Sequence, residues 1–550
     1  MLNEPFDFNG NFFTSSSSPK IFGLRPKSKS RPKIWIYPYY SLPLPGLILL
    51  HNSKVFKLLN NYPPPVVRFV EVFYARKRSP TEKPSFIFGK NHQKLSLIQG
   101  KCISLHQNCF IMTIKESFKS LIALKQQEIP VAYNPREVEL PIDSKKMITV
   151  IGVRRCGKST LMELCIERLL GAGISPRQIV WIGFDDERFE TMQTADFNSI
   201  LEAYMEMFPD IPIKDVYFFF DEIQRIEGWE LFVLRLFKHY SKHIFISGSN
   251  ADMLSEELNT ALRGWPLEYR EYPLSFKEYC QFKNVPTDGY LEQDLARMRV
   301  AFDSFLHEGG FPEVVLEQSR VMKDKLLQGY FNAMIFRDLI DRYKLSNPER
   351  VKYVIKRLMT GITKPASINA IYNDMRSQGR KVTKDDLYTI AEKSCSIFLL
   401  YKVTKFDPSF KKETSALPKY YCVDNGLRQS VLLTGRDDDG ILFENAVFLH
   451  LLRNLPDGQK ICYYMGDKEC DFVIQTGAGV RELIQVCWDM KDKETRDREL
   501  DGIREAAAVT GCRNMTIITH EQEEIVQDEQ GTIRIVPAWK WCRKNISVPR

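Results

Sequence analysis

The chain has 550 residues, enough for three or four domains, and its apolar fraction of 44% is ordinary for a soluble globular protein. The formal net charge of +8 is unevenly distributed, because residues 1–111 carry 16 Lys/Arg against 4 Asp/Glu and the remainder is slightly acidic. This distribution excludes a positive electrostatic field over the whole protein of the kind that attracts nucleic acid. The twelve cysteines show neither Cys-x-x-Cys nor zinc-ligand spacing, which argues against a zinc domain and is typical of reduced thiols in a cytoplasmic protein.

Residues 1–111 contain 12 of the 29 prolines and show no sustained helical or strand period. The stretch SLPLPGLILL (41–50) is too short and too interrupted by proline to span a membrane, and no signal peptide is evident, so no membrane association is expected. The basic run RPKSKSRPK (25–33) is typical of a solvated segment, with a nuclear signal or a nucleic-acid arm as alternatives. We expect residues 1–111 to be a disordered or non-native extension, with the folded protein starting at Met112.

From Met147 the sequence has the pattern of a strand, a loop and a helix. The run MITVI is typical of a buried parallel strand, and GVRRCGKS (152–159) fits the phosphate-loop pattern G-x-x-x-x-G-K-[ST]. The two glycines permit a tight turn that brings backbone N–H groups to phosphate oxygens, the lysine contacts the β- and γ-phosphates, and the serine hydroxyl binds Mg²⁺. The predicted nucleotide-binding residues are Gly152, Val153, Arg154, Arg155, Cys156, Gly157, Lys158, Ser159 and Thr160.

A second apolar run, VYFFFDEIQ (216–224), ends in two carboxylates and is typical of a buried central strand. At that strand end Asp221 can hold Mg²⁺ and Glu222 can act as the general base for an attacking water, whereas an acidic pair that merely faces solvent is the alternative. A further run, HIFISGSN (243–250), ends in Ser249 and Asn250, either of which could contact the γ-phosphate, although Gly-Ser-Asn is also common in turns. With IVWIG (179–183), these runs predict a doubly wound parallel sheet.

Five segments occur in the order GVRRCGKSTLM, FFFDEIQRIEGWE, IFISGSNADML, YPLSFKEY and FLHEGGFPE. Together they resemble the prokaryotic AAA+ ATPases that end in an uncharacterised domain related to the restriction-endonuclease fold, from about Met112 to about Trp541. The resemblance implies an AAA+ core that uses ATP and Mg²⁺, then a helical and winged-helix region, then a nuclease-like domain. It gives nucleotide roles to Lys158, Ser159, Asp221 and Glu222, and it puts Ser249 and Asn250 at the sensor position.

The chain departs from those relatives before the PLSF segment. The relatives read Leu-x-Gly-Arg there, whereas this chain reads ALRGWPLEYREYPLSF (261–276). An arginine that acts on the γ-phosphate of a neighbouring subunit would be Arg263 or Arg270, or would be absent, and a surface salt bridge is the alternative role for either. The oligomeric state is therefore left open.

The middle of the chain has the pattern of three helices and a hairpin. The helices are predicted over 346–362, 367–379 and 381–394, and the hairpin over 398–406 and 419–424, which together indicate a winged helix. DNA binding and protein binding remain equal alternatives, because few basic residues surround the start of the third helix: Arg376, Arg380, Lys381 and Lys384.

The C-terminal segment has a helix over 442–455 followed by strands at 461–465, 470–475 and 482–490. Nucleases of the restriction type hold Mg²⁺ between a strand Asp and a following Glu, with a Lys two residues later that steadies the attacking water. Asp471 and Glu444 fit two of these positions, but the later pair is Gln485 and Cys487, which lack the carboxylate and the cation. His520 at a later strand end is expected to be a surface residue. We therefore expect a nuclease-like fold without nuclease activity.

The predicted fold is α/β, with a P-loop doubly wound parallel sheet of the AAA+ type, a winged helix and a nuclease-like α/β domain. The expected boundaries are 1–111 for the extension, 112–270 for the ATPase domain, 271–344 for a helical linker or lid, 345–425 for the winged helix and 426–550 for the nuclease-like domain. The leading hypothesis is an Mg²⁺-dependent ATPase whose hydrolysis switches the arrangement of these domains on a DNA or protein partner. A nucleotide-gated binding module with negligible turnover is the second hypothesis, and an ATP-dependent nuclease is the third.

Overall fold

The computed structural model describes residues 35–37, 47–49, 113–129, 133–251, 262, 264–433 and 438–543. The chain divides into two compact units, Met1–Ile111 and Met112–Arg550. In the first unit, strands β1 (Trp35–Tyr37) and β2 (Leu47–Leu49) pair in antiparallel fashion. The expected extension and the expected start at Met112 otherwise lie outside the described residues.

The N-terminal part of the second unit contains a parallel sheet. Its strands are β3 (Met147–Ile151), β4 (Ile179–Gly183), β5 (Tyr217–Asp221), β6 (Ile244–Gly248) and β7 (Pro266–Arg270). They lie in the order β4-β5-β6-β3-β7, and every neighbouring pair is parallel. All residues of β3, β5 and β6 are buried, as is typical of central strands covered on both faces. The predicted doubly wound parallel sheet is confirmed.

Four helices cover the two faces of this sheet: α1 (Ile114–Glu128), α2 (Lys158–Gly171), α3 (Asn198–Met207) and α4 (Trp229–His239). Side chains alternate along a strand, so Phe218 and Phe220 of β5 join one apolar cluster while Phe219 joins the cluster on the other face. With both faces covered, the carboxyl ends of β3, β5 and β6 meet at one edge of the sheet, where ligands bind in such folds.

A second group of helices follows the parallel sheet. It comprises α5 (Phe276–Phe282), α6 (Glu292–Glu308), α7 (Pro312–Leu316) and α8 (Arg320–Ala333). A π-helical segment, Met334–Asp341, continues α8 without a break, and helical geometry extends to residue 343. We call residues 320–343 the bridging helix. Short π-helical segments inside helices are frequent at functional positions.

The three helices predicted for the middle of the chain are present as α9 (Pro348–Thr360), α10 (Ile368–Ser377) and α11 (Lys384–Ser396). Each begins after a capping side chain, supplied by Asn347, Ser367 and Thr383, that accepts a hydrogen bond from a backbone N–H of the first turn. Strand β8 (Leu400–Lys405), helix α12 (Phe410–Ser415), strand β9 (Lys419–Cys422) and helix α13 (Asn425–Leu432) follow. Strands β8 and β9 form the predicted antiparallel hairpin.

This hairpin belongs to a larger C-terminal sheet. The remaining elements are α14 (Asp439–Arg453), β10 (Lys460–Met465), β11 (Glu469–Thr476), β12 (Gly479–Cys487), α15 (Lys493–Thr510), β13 (Asn514–Thr519), β14 (Glu524–Asp528), β15 (Gly531–Pro537) and α16 (Ala538–Cys542). Among the described residues, eight strands lie in the order β14-β15-β13-β12-β11-β10-β8-β9. Strand β8 pairs in parallel with β10, with Thr404 opposite Cys462.

The predicted winged helix is therefore not confirmed as a separate domain, because β8 pairs with β9 on one edge and with β10 on the other. The expected boundary between 345–425 and 426–550 runs through one continuous sheet. Helices α5 and α6 of the expected linker pack on that sheet too, since Phe276 and Phe302 share an apolar cluster with Phe443 and Phe472. None of the described helices combines the length and the apolar character needed to cross a bilayer.

Candidate functional site

The phosphate loop connects β3 to α2 and is held tightly from behind. Gly152 lies directly against the backbone carbonyl of Glu271, so a side chain has no room there. Gly157 has φ of 109°, in a region that favours glycine, and a Cβ at that position would lie 2.7 Å from Nη1 of Arg136. Helix α2 starts immediately afterwards at Lys158, so its N-terminal end faces the loop, as an anion site requires.

Lys158 is buried at the centre of the site. Its Nζ donates to the carbonyl oxygens of Gly152, at 3.1 Å, and Val153, at 3.2 Å, and lies 3.4 Å from Oε1 of Glu222. Burial alone would lower the pKa of Lys158, but the Glu222 carboxylate raises it above its ordinary value. The lysine is therefore a permanently charged group within the loop, as a phosphate-binding lysine must be.

Ser159 and Asp221 lie together, as a shared Mg²⁺ site requires. The Ser159 hydroxyl donates to Oδ2 of Asp221 at 2.6 Å, and the Ser247 hydroxyl donates to the other carboxylate oxygen. Burial, with a smaller contribution from Glu222, raises the pKa of Asp221 to about 6. A hydroxyl and a carboxylate are ligands that suit Mg²⁺, which takes its remaining ligands from phosphate oxygens and water. Accordingly, the described residues contain no all-protein group of three or more His, Cys, Asp or Glu side chains suited to a metal ion.

Glu222 follows Asp221 in a left-handed backbone conformation, with φ of 53°. Its backbone N–H donates to Ser247 Oγ at 3.1 Å, and its Oε2 accepts a hydrogen bond from Ser249 Oγ at 3.0 Å and another from the Gln224 amide. Burial alone would raise the pKa of Glu222, but Lys158 and then Arg154 hold it at about 2. The predicted base is thus ionised and directed into the site by a backbone conformation that costs about 1–3 kcal/mol in a non-glycine residue.

Three residues of the site bind one helix far along the chain. Arg154 of the phosphate loop donates to both carboxylate oxygens of Asp338, with Nε at 2.8 Å from Oδ2 and Nη2 at 2.7 Å from Oδ1. The Arg155 guanidinium lies 5.8 Å from the ring centroid of Tyr330, and the Asn250 amide donates to the Tyr343 hydroxyl at 2.8 Å. Asp338, Tyr330 and Tyr343 all belong to the bridging helix. Of the predicted sensor residues, Ser249 therefore contacts Glu222, whereas Asn250 contacts this helix.

Arg136 supports the loop from behind and is not revealed by any motif. Its Nη1 donates to the carbonyl of Cys156 at 3.0 Å, and its Nε donates to Glu278 at 2.8 Å. Nη1 also forms an ion pair with Glu271, whose carbonyl accepts a weak hydrogen bond from the Cys156 thiol at 3.3 Å. All of these charged side chains are buried. Thr160, the last predicted nucleotide-binding residue, lies in the first turn of α2.

The two arginines considered for a role on a neighbouring subunit are placed differently. Arg263 lies outside the described residues. Arg270 ends β7 and is exposed. The nearby Trp265 packs against Phe237, with ring centroids 5.2 Å apart, and lies under the Lys146 ammonium.

In the C-terminal sheet, the predicted nuclease positions come together, with one correction. Glu444 of α14 and Asp471 of β11 both face Nζ of Lys419, at 3.5 Å and 3.7 Å. The expectation that this place lacks a cation is wrong, because Lys419 comes from β9, a strand assigned by its sequence to a different domain. Gln485 and Cys487 lie on β12 as neutral neighbours, and both are buried. The predicted surface residue His520 is mostly buried, and its Nε2 lies 2.7 Å from Asp303 Oδ1.

Comparisons with known proteins agree with the phosphate-loop geometry. A family model described as an AAA domain matches residues 144–280, and a second, described as a domain of unknown function (DUF8612), matches residues 299–438. The predicted AAA core is thereby confirmed. The second model ends before the Glu444 helix and carries no statement about a nuclease relation. The crystal structure of Cdc6p from Pyrobaculum aerophilum is 11% identical and covers 64% of this chain and 97% of that chain, but its TM-score of 0.21 supports no functional conclusion.

Two curated proteins are similar over most of their length. An uncharacterized protein of Haemophilus influenzae is 31% identical over 351 residues, covering 64% of this chain and 84% of the relative. The uncharacterized protein MJ1544 of Methanocaldococcus jannaschii is 30% identical over 416 residues, covering 74% of this chain and 90% of the relative. On the strength of that match and of the AAA domain at residues 144–280, the chain belongs to the family of AAA-domain proteins that includes MJ1544.

Proposed function

We propose that this protein is an Mg²⁺-dependent AAA+ ATPase that uses ATP binding and hydrolysis to switch the arrangement of its C-terminal domains on a partner. One observation carries the proposal. Arg154 of the phosphate loop and Asn250, which lies just beyond the end of β6, both bind the bridging helix, through Asp338 and Tyr343. A change at the nucleotide site therefore acts directly on a helix that leads into the C-terminal half.

The residues of the site divide the chemical tasks. Lys158 neutralises phosphate charge, and Ser159 with Asp221 would hold Mg²⁺, which supplies further charge neutralisation when bound. Glu222 accepts a proton from the attacking water, because it is ionised and directed into the site. Ser249, which donates to Glu222 at 3.0 Å, orients that carboxylate.

The bridging helix is suited to transmit the change. Arg154 and Asp338 form a two-point, charge-assisted pair whose direction is fixed by the planar guanidinium. Tyr343 lies between the nucleotide site and α11. Its hydroxyl accepts a hydrogen bond from the Asn250 amide, and its ring centroid lies 4.7 Å from the Lys393 ammonium of α11. Asn250 is thus linked to α11 through the two contacts of Tyr343.

A second function, a nucleotide-gated binding module with slow turnover, is favoured by one observation. The pKa of Glu222 is held at about 2 by Lys158 and Arg154, which outweigh the effect of burial. A general base is most efficient when its pKa lies near the working pH, so a carboxylate held this low is a weak base. The turnover number separates the two functions, because only the ATPase loses a substantial rate when Glu222 is neutralised.

Four exposed cations around the turn from α10 into α11 favour DNA as the partner: Arg376, Arg380, Lys381 and Lys384. Three of them lie over tyrosine rings, which favours a protein partner. The Arg380 guanidinium lies 4.6 Å from the ring centroid of Tyr353, and Lys384 Nζ lies 5.5 Å from that of Tyr372. Cations held over tyrosines still present charge to phosphates, but they also suit a protein surface. Stimulation of turnover by DNA would select the first partner class.

The decisive experiment measures ATP turnover and ATP affinity, with and without DNA, for the wild type and for Glu222→Gln. We expect the variant to bind ATP and to lose turnover by at least about 100-fold, because it loses the base but keeps the side-chain shape. Glu227→Gln is the matched control, since Glu227 is exposed and lies five residues further along, and it should behave as wild type. Normal turnover in Glu222→Gln would show that Glu222 is not the base.

Hydrogen exchange tests the switching part separately. A non-hydrolysable ATP analogue should change the exchange of peptides from residues 334–343 in wild type, and this change should be absent in Lys158→Ala. If the analogue binds but leaves these peptides unaffected, the protein is an ATP-binding chain without the proposed coupling.

A further inference from the structure

The C-terminal sheet contains a buried lysine at the centre of three carboxylates. Lys419 is the first residue of β9, and its side chain is 1% exposed. Its Nζ lies 2.5 Å from an oxygen of Glu469, 3.5 Å from Glu444 and 3.7 Å from Asp471. A buried ammonium is stable only where its charge is compensated by partners of this kind. The three carboxylates come from α14 and β11, and the cation comes from β9 of the hairpin.

The residues do not fit the divalent metal that a restriction-type site requires. Gln485 offers only a neutral amide oxygen, a weaker Mg²⁺ ligand than a carboxylate, and that oxygen already accepts from the backbone N–H of Asp471 at 3.2 Å while its amide nitrogen donates to Glu499 at 2.6 Å. Asp471 Oδ2 accepts from the backbone N–H of Val486 at 2.9 Å, and Glu444 Oε1 accepts from the Tyr421 hydroxyl at 2.8 Å. One oxygen of each of the three carboxylates lies within 3.7 Å of the Lys419 ammonium.

The lysine cannot leave this place without breaking strand pairing. Residue 419 pairs with Val403 across the hairpin and forms an isolated bridge with Pro365 on its other side. The flanking residues are also held, since the Pro418 carbonyl accepts from the Ala366 N–H at 2.8 Å. The backbone that carries the ammonium is therefore fixed on both sides, and only the side chain has freedom.

We propose that Lys419 is a built-in counter-cation that takes the position of a divalent metal between Glu444, Glu469 and Asp471, so that this domain binds neither Mg²⁺ nor Mn²⁺ there. The Lys419 ammonium lies 2.5–3.7 Å from the carboxylate oxygens themselves, where a divalent ion would have to lie, whereas the lysine of a restriction-type site lies beside the metal. A divalent ion could enter only by displacing this ammonium, whose backbone is held on both sides. The place where the fold would cut nucleic acid is thus closed by the protein's own side chain. This inference does not depend on the ATPase activity.

Mn²⁺ binding to the full chain, measured by calorimetry without nucleotide, tests the proposal. Wild type, Asp471→Asn and the control Lys402→Met should give the same isotherm, because Lys402 is exposed on the same hairpin. Lys419→Met should gain one Mn²⁺ site, and Lys419→Met combined with Asp471→Asn should lose it again. Binding in wild type that depends on Asp471, or Mn²⁺-dependent DNA cleavage abolished by Asp471→Asn, would overturn the proposal. So would a folded Lys419→Met that gains no site.

Thermal unfolding provides a second readout that does not require metal. Lys419→Met should lower Tm by about 6 °C or more, because the buried Asp471, the mostly buried Glu444 and the partly exposed Glu469 lose their cation. The added Asp471→Asn change should restore part of that loss by removing one of the unpaired charges. A Tm for Lys419→Met within about 2 °C of wild type would contradict the proposed role. If Lys419→Met fails to fold, the comparison of wild type with Asp471→Asn still decides whether Asp471 binds metal.

Discussion

Replacing Asp338 with asparagine removes the charge that holds Arg154 and leaves the shape of the side chain almost unchanged. The Asp338 side chain is 4% exposed and the Arg154 side chain 18% exposed, so the pair is largely shielded from water. Removing one partner of a buried ion pair costs about 3–5 kcal/mol. In this variant the Arg154 guanidinium keeps partial contact with solvent and the attraction of the nearby Glu222 carboxylate, so the lower end, about 3 kcal/mol, applies here.

A loss of about 3 kcal/mol corresponds to a factor of about 150 in a local opening equilibrium. Hydrogen exchange of peptides covering 334–341 should therefore be about 150-fold faster in Asp338→Asn than in wild type, as long as exchange is limited by opening. Asp341→Asn, an exposed position on the same helical segment, is the matched control and should exchange as wild type does.

The pair itself is isolated by a double-mutant cycle with Arg154→Met. The second change should cost at least about 1.5 kcal/mol less in the Asp338→Asn background than alone, because the interaction is already lost. Additive effects, or protection in Asp338→Asn within about threefold of wild type, would refute the inference that the phosphate loop is tied to the bridging helix through these two side chains.

Four other predictions concern the phosphate loop, its support by Arg136, the buried Asp424 that precedes α13, and residues 1–111. Lys158→Ala should lower ATP affinity by about tenfold or more in a titration, and unchanged affinity would remove the phosphate role. Arg136→Lys should lower Tm and turnover together, since a lysine cannot serve Cys156 and Glu278 at once; unchanged values would contradict this. Burial raises the pKa of Asp424 from 3.8 to about 6, so the folded state binds the proton more tightly than the unfolded chain does. As pH falls from 7 to 4, wild type should therefore gain about 2.4 kcal/mol relative to Asp424→Asn, and a pH-independent difference in urea unfolding would contradict this. A chain that begins at Met112 should keep the Tm and turnover of the full chain, and a large loss of either would show that residues 1–111 are structural.

Local features of the protein could be predicted from sequence because their physical causes are local. The phosphate loop is eight consecutive residues whose glycines, lysine and serine each have a separate steric or electrostatic reason. Asp221 and Glu222 follow a run of apolar residues that only a buried strand explains, and that strand is β5. The three helices α9, α10 and α11 were predicted within a few residues, since caps such as Asn347 and Thr383 act on their own first turn.

The assignment of β8 and β9 to a domain was decided by the tertiary structure. Their sequence predicts a hairpin, and a hairpin forms, but the sequence does not show which strand binds its free edge. Every strand presents the same row of backbone N–H and C=O groups, so the choice of β10 as neighbour depends on packing of the whole C-terminal half. Lys419 lies beside Glu444 and Asp471 for the same reason, because its strand belongs to that hairpin.

The charged contacts that connect the site to the rest of the protein were likewise decided only by folding. The partners Arg154 and Asp338 are 184 positions apart, and Arg136 and Glu278 are 142 apart. A single arginine or aspartate in a sequence has no periodicity and no fixed spacing to its partner, and most such residues face solvent. Only when packing buries both members does each charge require an opposite one within hydrogen-bond distance, and that burial is a property of the assembled core rather than of either segment.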